Sequence, residues 1–260
     1  MLIENTTLSP AWVAEHGLSL LVETAGQRVL FDTGASAAFA DNAERMGIDL
    51  SSVDAVVLSH GHVDHGGGLS RFLELNSHAP VWVSPYAFEP HYNASGRDIG
   101  LSPVLEKHPR IRRVREDGFS PMPGIRLFSC SASAYRVPVE TGGMTVRCHG
   151  GCVAEDFRHE LYMQVEEAGL RVLFSGCSHR GILNIADWFS PDVLVGGFHL
   201  MRVDAERDAA RLRKLADALL EYPTVYYTGH CTGDAAFRVL KTRMDARLHA
   251  FSTGQVLHLS

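Results

Sequence analysis

The sequence lacks long hydrophobic runs and lacks an excess of basic residues. It has no stretch of about 18 consecutive apolar residues, so we predict no transmembrane helix. Its 24 basic and 30 acidic side chains give a formal net charge of −6. That charge provides no bulk attraction to nucleic acid or to an anionic membrane, and we expect neither as a partner.

Cysteine is also scarce, with five residues in the whole chain. An odd number does not favour a disulfide framework. The first seven residues have no basic region leading into an apolar run, so we expect no signal peptide and a reducing, cytoplasmic location. Cys148 and Cys152 are spaced like a metal-binding thiol pair, but no second pair lies nearby, and we interpret them as loop residues.

The length and composition predict one sizeable globular domain. The chain has 260 residues, of which 45% are hydrophobic and 21% charged, values that are ordinary for a protein with a large core. We predict a single domain over residues 1–260. Residues 85–151 are rich in Pro, Gly and Ser and too long for an ordinary connection, so we expect loops and small elements that cover the functional site.

Apolar patterns predict that strands and helices alternate in both halves of the chain. Hairpins are expected at 18–31 and 161–174, because each contains a turn signal between two β-prone runs. Further strands are predicted at 53–58, 81–83, 192–195 and 224–227, with helices at 35–46, 69–75, 181–189, 205–220 and 234–244. Two such halves packed sheet against sheet make an α/β fold, a four-layer αββα sandwich.

Several histidines follow the ends of predicted strands: His60, His179, His199 and His230. The carboxyl ends of strands are where α/β folds gather ligands. The densest group is His60, His62, Asp64 and His65, on a loop that contains Gly61 and is followed by glycines at 66–68. Imidazole and carboxylate suit zinc, iron and manganese. A solvated loop with incidental histidines is the alternative, and the position after a buried strand disfavours it.

The pattern His60-x-His62-x-Asp64-His65 resembles the metal signature of the metallo-β-lactamase superfamily. Asp32, in Phe31-Asp32-Thr33-Gly34, matches the family's first motif, and the resemblance implies that it buttresses the site behind the ligands. The resemblance also implies one or two divalent metal ions. Zinc is favoured, with iron and manganese as alternatives.

A narrower resemblance concerns the dihydropteroate-synthase-like branch of that superfamily. It is carried by motifs in the right order: Glu15-His16-Gly17-Leu18-Ser19, Gly176-Cys177-Ser178-His179-x-Gly181-Ile182-x-Asn184, Gly197-Phe198-His199-Leu200 and His230-Cys231-Thr232-Gly233. This branch implies a pterin-linked condensation with a phosphate-bearing aminobenzene riboside. Fold neighbours differ widely in chemistry, so transfer of that reaction is a separate hypothesis.

The superfamily resemblance implies two ligand sets. One metal takes His60, His62 and a third histidine, and the other takes Asp64, His65 and His230. For His230 the alternative is a core or capping histidine that binds no metal. We place His179 as the third histidine. His159 and His149 lie nearer the usual position, but His159, between Arg158 and Glu160, is expected on the surface.

Three further assignments stay open. Cys177 falls where most members have a bridging Asp, so it is either a metal ligand or a small buried residue. His199 either binds substrate, relays a proton, ligates metal or is simply buried. Arg202, Arg97 and Arg136 are candidate contacts for an anionic substrate.

The leading functional hypothesis is metal-dependent hydrolysis of a small substrate, either phosphorylated or an ester or lactone. Asp64 would position the water and accept its proton, and His199 would stabilise the developing charge and, with Arg202, bind substrate. The alternatives are a pterin-linked condensing enzyme and a non-catalytic metal or ligand sensor. Electron transfer by an iron pair is disfavoured by His62 and by the lack of a flavin domain. A homo-oligomer is left open.

Overall fold

The computed structural model describes residues 1–148 and 150–259, and its strands form two large sheets and one small one. In chain order the strands are β1 (Leu20–Thr24), β2 (Gln27–Phe31), β3 (Ala55–Val57), β4 (Val81–Val83), β5 (His91–Tyr92), β6 (Ile111–Arg113), β7 (Phe119–Met122), β8 (Ile125–Phe128), β9 (Thr145–Cys148), β10 (Gly151–Ala154), β11 (Tyr162–Glu167), β12 (Leu170–Phe174), β13 (Val193–Val195), β14 (Val225–Thr228) and β15 (Leu248–Ala250). The α-helices are α1 (Ala38–Arg45), α2 (Val63–Gly66), α3 (Leu69–Leu75), α4 (Ile182–Phe189), α5 (Ala209–Leu219) and α6 (Asp234–Met244).

The two large sheets repeat one arrangement. The first has the strand order β1-β2-β3-β4-β6, and the second has β15-β14-β13-β12-β11-β8-β7. In each, an antiparallel hairpin (β1–β2 or β11–β12) is followed by parallel strands. Parallel neighbours need a crossover connection, commonly a helix, and the helices of both halves supply most of these. The predicted repeat of a hairpin followed by alternating strands and helices is therefore present.

Alternate side chains of each strand pack on opposite faces of its sheet. Phe31 and Val57 of the first sheet share one buried cluster with Val172 and Val195 of the second, and this cluster fills the space between the sheets.

The outer faces of both sheets are covered by helices. Leu30 and Val56 pack with the apolar side chains of α1 and α3, and Leu173 and Leu194 pack with those of α4, α5 and α6. Helices therefore lie outside two stacked sheets, which confirms the predicted four-layer αββα sandwich.

Residues 85–151 contain more regular structure than the sequence indicated. This stretch adds β6 to the first sheet and β7 and β8 to the second, and β5, β9 and β10 form a separate three-stranded sheet. These strands have two to four residues each, which is too short for periodicity to reveal them. Cys148 and Cys152 lie in the β9–β10 hairpin, and all five cysteines are free thiols. Among the described residues, every helix is too short or too polar to cross a bilayer.

Candidate metal centre

Most of the predicted site residues lie where parallel strands end. His60 follows β3, and His179, His199 and His230 follow β12, β13 and β14 respectively. The carboxyl ends of parallel strands share one edge of a sheet, so these loops converge.

The backbone at this edge is held in an unusual conformation. Asp32, Ser178, His199 and His230 have φ values of 63°, 56°, 53° and 49°. A residue with a Cβ pays about 1–3 kcal/mol to adopt such a conformation, and the surrounding packing must hold it there. Non-glycine residues in this conformation tend to cluster at functional sites, and here they orient several predicted site residues.

The first cluster consists of His60, His62 and His179. Their ligand atoms lie within 4.8 Å of one another, and all three side chains are buried. The Nε2 atoms of His60 and His62, and both ring nitrogens of His179, have no hydrogen-bond partner. A cation between the rings would use the lone pairs of His60 Nε2 and of one His179 nitrogen, which otherwise remain unsatisfied at a cost of about 1–3 kcal/mol each.

Burial keeps these imidazoles neutral. It lowers the pKa of His62 to about 3 and holds the pKa values of His60 and His179 well below the ordinary histidine value. Neighbouring histidines add to this effect by repulsion. The neutral ring is the form that binds a metal, so the cluster needs no deprotonation step near pH 7.

The second cluster consists of Asp64, His65, Cys177 and His230. The Nε2 atom of His65 lies 3.1 Å from His230 Nε2, 3.2 Å from Cys177 Sγ and 3.7 Å from Asp64 Oδ2. Asp64 Oδ2 lies 3.3 Å from His230 Nε2. Ligands about 2.0–2.3 Å from zinc in tetrahedral geometry are separated from one another by about 3.3–3.8 Å. The spacing of this cluster fits a bound cation.

Three of the histidines use Nδ1 in a hydrogen bond to a neighbouring side chain, which leaves Nε2 facing the clusters. His60 Nδ1 lies 2.8 Å from Ser59 Oγ, and His230 Nδ1 lies 2.9 Å from Asn5 Oδ1. His65 Nδ1 lies 2.7 Å from Asp32 Oδ2. An outer hydrogen bond of this kind fixes the tautomer and orientation of a metal-binding histidine. Asp32 is fully buried and also accepts the backbone N–H and the hydroxyl of Ser59, both at 2.7 Å.

His199 and two thiols form a third group beside the second cluster. The ligand atoms of Cys177, His199 and Cys231 lie within 4.8 Å of one another. The backbone N–H of His199 donates to Cys231 Sγ at 3.3 Å, and the centroids of the His199 and His179 rings lie 4.2 Å apart. His199 therefore borders the site, and Cys177 belongs to two of the ligand groups.

The prediction that His159 lies on the surface is wrong. Its side chain is fully buried, and its Nδ1 accepts the backbone N–H of Gly61 at 2.8 Å. A neutral ring whose Nδ1 accepts a hydrogen bond carries its proton on Nε2, so it offers no lone pair to a cation there. This supports His179 over His159 as the third ligand. His149 lies outside the described residues.

The candidate arginines differ in their availability. Arg202 is exposed and lies just beyond His199 on the same loop. Arg97 is also exposed, on the turn that follows β5. Arg136 lies 2.6 Å from the carboxylate of Glu221. An arginine already paired in this way is a poor contact for a substrate anion.

Several residues around the clusters had no clear signal in the sequence. Phe157 stacks on His179 with ring centroids 4.7 Å apart, and Glu160 accepts the backbone N–H of His179 at 2.7 Å. His16 stacks on His230 at 4.7 Å and places Nε2 3.5 Å from Asp64 Oδ2. His16 lies within one of the branch motifs, which was the only indication available.

The comparisons with known proteins agree with this geometry. Residues 12–128 match the family model of the metallo-beta-lactamase superfamily. The chain is 29% identical to 7,8-dihydropterin-6-methyl-4-(beta-D-ribofuranosyl)-aminobenzene-5'-phosphate synthase of Methanocaldococcus jannaschii, over 96% of this chain and 91% of that protein. An uncharacterized protein of the same organism is 26% identical over 98% and 96% of the two chains.

Solved structures show the same relationship. Tm1679, a metal-dependent hydrolase of the beta-lactamase superfamily, is 30% identical, with a TM-score of 0.84 and coverage of 100% of this chain and 97% of that one. Zn²⁺-bound PqqB from Methylobacterium extorquens shares the fold at 18% identity, with a TM-score of 0.58 over 93% and 87% of the chains. The similarity to Tm1679 extends over nearly the whole length of both chains, and the sheet edge is lined with histidines as the family's motif implies. This chain therefore belongs to the metallo-β-lactamase superfamily.

Proposed function

We propose that this chain is a metal-dependent hydrolase that acts on a small phosphorylated, ester or lactone substrate. The observation that carries the proposal is the pair of ligand clusters at one sheet edge, in which buried ring nitrogens lack partners. The similarity to a metal-dependent hydrolase supports it. The formal net charge of −6 favours a small molecule over nucleic acid or membrane as the partner.

The first cluster would hold one divalent cation, and the second cluster would hold another. A bound cation supplies Lewis acidity, which polarises a substrate oxygen and makes water a stronger nucleophile. Zinc fits the mixture of imidazole, thiol and carboxylate, and iron fits it nearly as well; manganese prefers more oxygen ligands.

Asp64 is suited to hold the attacking water. Its side chain keeps 20% of its surface exposed, whereas the neighbouring His65 and His230 side chains are fully covered. Burial alone raises the pKa of Asp64, but His65 and His230 outweigh it and hold the pKa well below its usual value. The carboxylate is therefore ionised, accepts a hydrogen bond from water and receives its proton.

His199 is suited to stabilise negative charge on the substrate. Burial lowers its pKa, but Cys231 and Glu160 outweigh burial, and the net pKa lies above the ordinary value. A ring that takes up a proton more readily than an ordinary histidine is suited to donate a hydrogen bond to an oxyanion that develops beside His179. Arg202 is exposed on the same loop and would meet an anionic part of the substrate.

The test is turnover of phosphodiester and lactone panels by metal-loaded protein. We expect Asp64→Asn to reduce turnover at least 100-fold, and His78→Ala, which changes an exposed histidine, to leave it unchanged. A fully metal-loaded protein that is inert on both panels would contradict the hydrolase proposal. If it also failed the assay described next, a non-catalytic metal sensor would be favoured.

A pterin-linked condensation is the second candidate, and one specific observation favours it. The similarity to the dihydropterin ribofuranosylaminobenzene phosphate synthase extends over 96% of this chain. The assay is release of pyrophosphate from a dihydropterin pyrophosphate in the presence of the phosphate-bearing aminobenzene riboside. Pyrophosphate release without turnover of the hydrolysis panels would replace the first candidate with this one.

A further inference from the structure

A second group of buried histidines lies behind the first cluster. His62, His91, Glu155 and His159 place their ligand atoms within 4.8 Å of one another, and each side chain is at most 3% exposed. His91 lies on β5 of the small three-stranded sheet, and Glu155 directly follows β10 of the same sheet. Of the four, His62 alone belongs to the predicted metal motif.

The position of the protons in this group follows from its hydrogen bonds. His91 Nδ1 lies 2.7 Å from Glu155 Oε2. A carboxylate only accepts, so the proton lies on Nδ1 of His91, and Nε2 of the neutral ring carries a lone pair. The other carboxylate oxygen, Oε1, accepts the backbone N–H groups of Asp156 and Phe157 at 3.2 and 3.1 Å, which holds Glu155 in place.

His159 has the opposite orientation. Its Nδ1 accepts the N–H of Gly61, so Nε2 carries the proton, and that atom lies 3.8 Å from Glu155 Oε1. A cation bound among these residues would meet an N–H of His159 in place of a lone pair. The group is therefore poorly suited to hold a further metal ion.

His62 is the residue that joins this group to the first cluster. Its Nε2 and the Nε2 of His91 are both buried without a partner, and the two rings meet edge to face with centroids 5.5 Å apart. If His62 binds a cation through Nδ1, its Nε2 must carry a proton that needs an acceptor. The lone pair of His91 Nε2 is an unused acceptor within this group.

We propose that Glu155 and His91 are positioning residues that orient His62 as a metal ligand. Glu155 fixes the tautomer of His91, and His91 accepts the Nε2–H of His62 once a cation orients that ring. This inference rests on the proposed metal centre. It explains why a segment outside the two large sheets contributes a buried carboxylate–histidine pair directly behind a ligand.

The test compares two substitutions of the same residue. His91→Gln keeps an acceptor oxygen near the position of Nε2, whereas His91→Leu removes it. Metal affinity is measured by chelator competition with Zn²⁺, and the ligand field is followed by the visible absorption of Co²⁺. We expect His91→Leu and Glu155→Gln to weaken binding at the first centre about 10- to 100-fold and to change the Co²⁺ spectrum, with a smaller loss in His91→Gln.

Glu89→Gln is the matched control. Glu89 is a carboxylate of the same region, bonded to Arg158 at 2.6 Å, and it should change affinity less than about twofold. Thermal unfolding of each metal-free variant shows which are folded. If Glu155→Gln does not fold, the comparison of His91→Gln with His91→Leu decides.

Three outcomes would overturn the proposal. The first is wild-type affinity in His91→Leu. The second is equal loss in His91→Gln and His91→Leu, because the acceptor would then not matter. The third is loss of one whole equivalent of bound metal from the His91 and Glu155 variants while both proposed centres keep their wild-type affinity, which would reveal a further cation site. Affinity is measured without substrate, so an inert but metal-binding wild type contradicts only the proposed hydrolysis.

Discussion

At the scale of single residues, whether Nδ1 of a histidine donates or accepts its hydrogen bond decides whether Nε2 keeps a lone pair for a metal. His65 gives Nδ1 to Asp32 and keeps Nε2 for the centre, whereas His159 has its Nδ1 lone pair occupied by the N–H of Gly61. Both side chains are fully buried. Burial and residue type are therefore the same in the two, and the polarity of one neighbour separates them.

His179 and His159 should respond differently to truncation. We expect His179→Ala to remove the metal of the first centre, because the substitution deletes a ligand. His159→Ala should keep the metal and lower the free energy of unfolding by about 1–3 kcal/mol, because the N–H of Gly61 loses its acceptor. Elemental analysis and urea unfolding measure the two effects. Loss of metal from His159→Ala with full retention in His179→Ala would reverse the ligand assignment.

Asp32 offers a second test at this scale. Asp32→Asn keeps the size of the side chain but removes the charge that faces His65 Nδ1 at 2.7 Å. We expect metal affinity of the second centre to fall about 10- to 100-fold, because the orientation and basicity of His65 depend on this partner. Isothermal titration with Zn²⁺ gives the affinity, with Asp98→Asn, an exposed carboxylate, as the control. An unchanged affinity would remove Asp32 from its supporting role.

At the scale of elements, the loop and helix that carry the histidine motif pack closely against neighbouring backbone. A Cβ added to Gly67 would lie 2.2 Å from the carbonyl oxygen of Ala35, and one added to Gly61 would lie 2.3 Å from that of Ala87. Gly67 therefore allows the end of α2 to lie against the loop after β2, which carries Asp32, and Gly61 allows the start of the motif to lie against the loop after β4. The contact at Gly67 positions the motif relative to its supporting carboxylate.

Gly67→Ala should disturb this packing. We expect the free energy of unfolding to fall by about 1–3 kcal/mol, because the added methyl group overlaps backbone atoms that cannot easily move. Gly150→Ala is the control, because nothing lies within 4 Å of its added Cβ. Denaturant unfolding of both metal-free variants measures the difference. Equal stability of the two would show that the loop around Ala35 can shift.

Element boundaries show where local sequence was a poor guide. The helix predicted at 205–220 begins at Ala209, because Asp204 Oδ1 accepts the backbone N–H groups of Glu206 and Arg207 and forms a turn first. The strands β7 and β8 escaped prediction because each has four residues and β7 contains Pro121. Their pairing across the second sheet depends on β11, which is distant in sequence.

At the scale of the whole molecule, the protein buries several neutral histidines together. Burial holds the pKa values of His60, His62, His159 and His179 below the ordinary value. As the pH falls below about 6.5, these histidines bind protons in the unfolded chain but stay neutral in the folded chain. The stability of the metal-free protein should therefore fall on acidification, by up to about 1.4 kcal/mol per pH unit for each histidine.

His65 contributes in the opposite sense. Burial lowers its pKa, but Asp32 and Asp64 outweigh burial and raise it to about 9. Its stabilising charge is fully present below about pH 6.5 and is lost as the pH rises through about 9. The stability of metal-free protein should thus be greatest near pH 6.5, which urea unfolding at pH 5, 6.5 and 8 measures. Equal midpoints at pH 5 and 6.5 would show that the histidines are not held neutral.

The sequence by itself determined the fold class and the core of the candidate site, because both depend on local patterns. The spacing of His60, His62, Asp64 and His65 in one loop already places candidate ligands close together. Only the tertiary structure decided how the remaining groups assemble. It brings Asn5 to His230 and Glu155 to His91, and it directs the N–H of Gly61 onto His159. These contacts join residues far apart in the chain, and they set which ring nitrogens remain free to bind a cation.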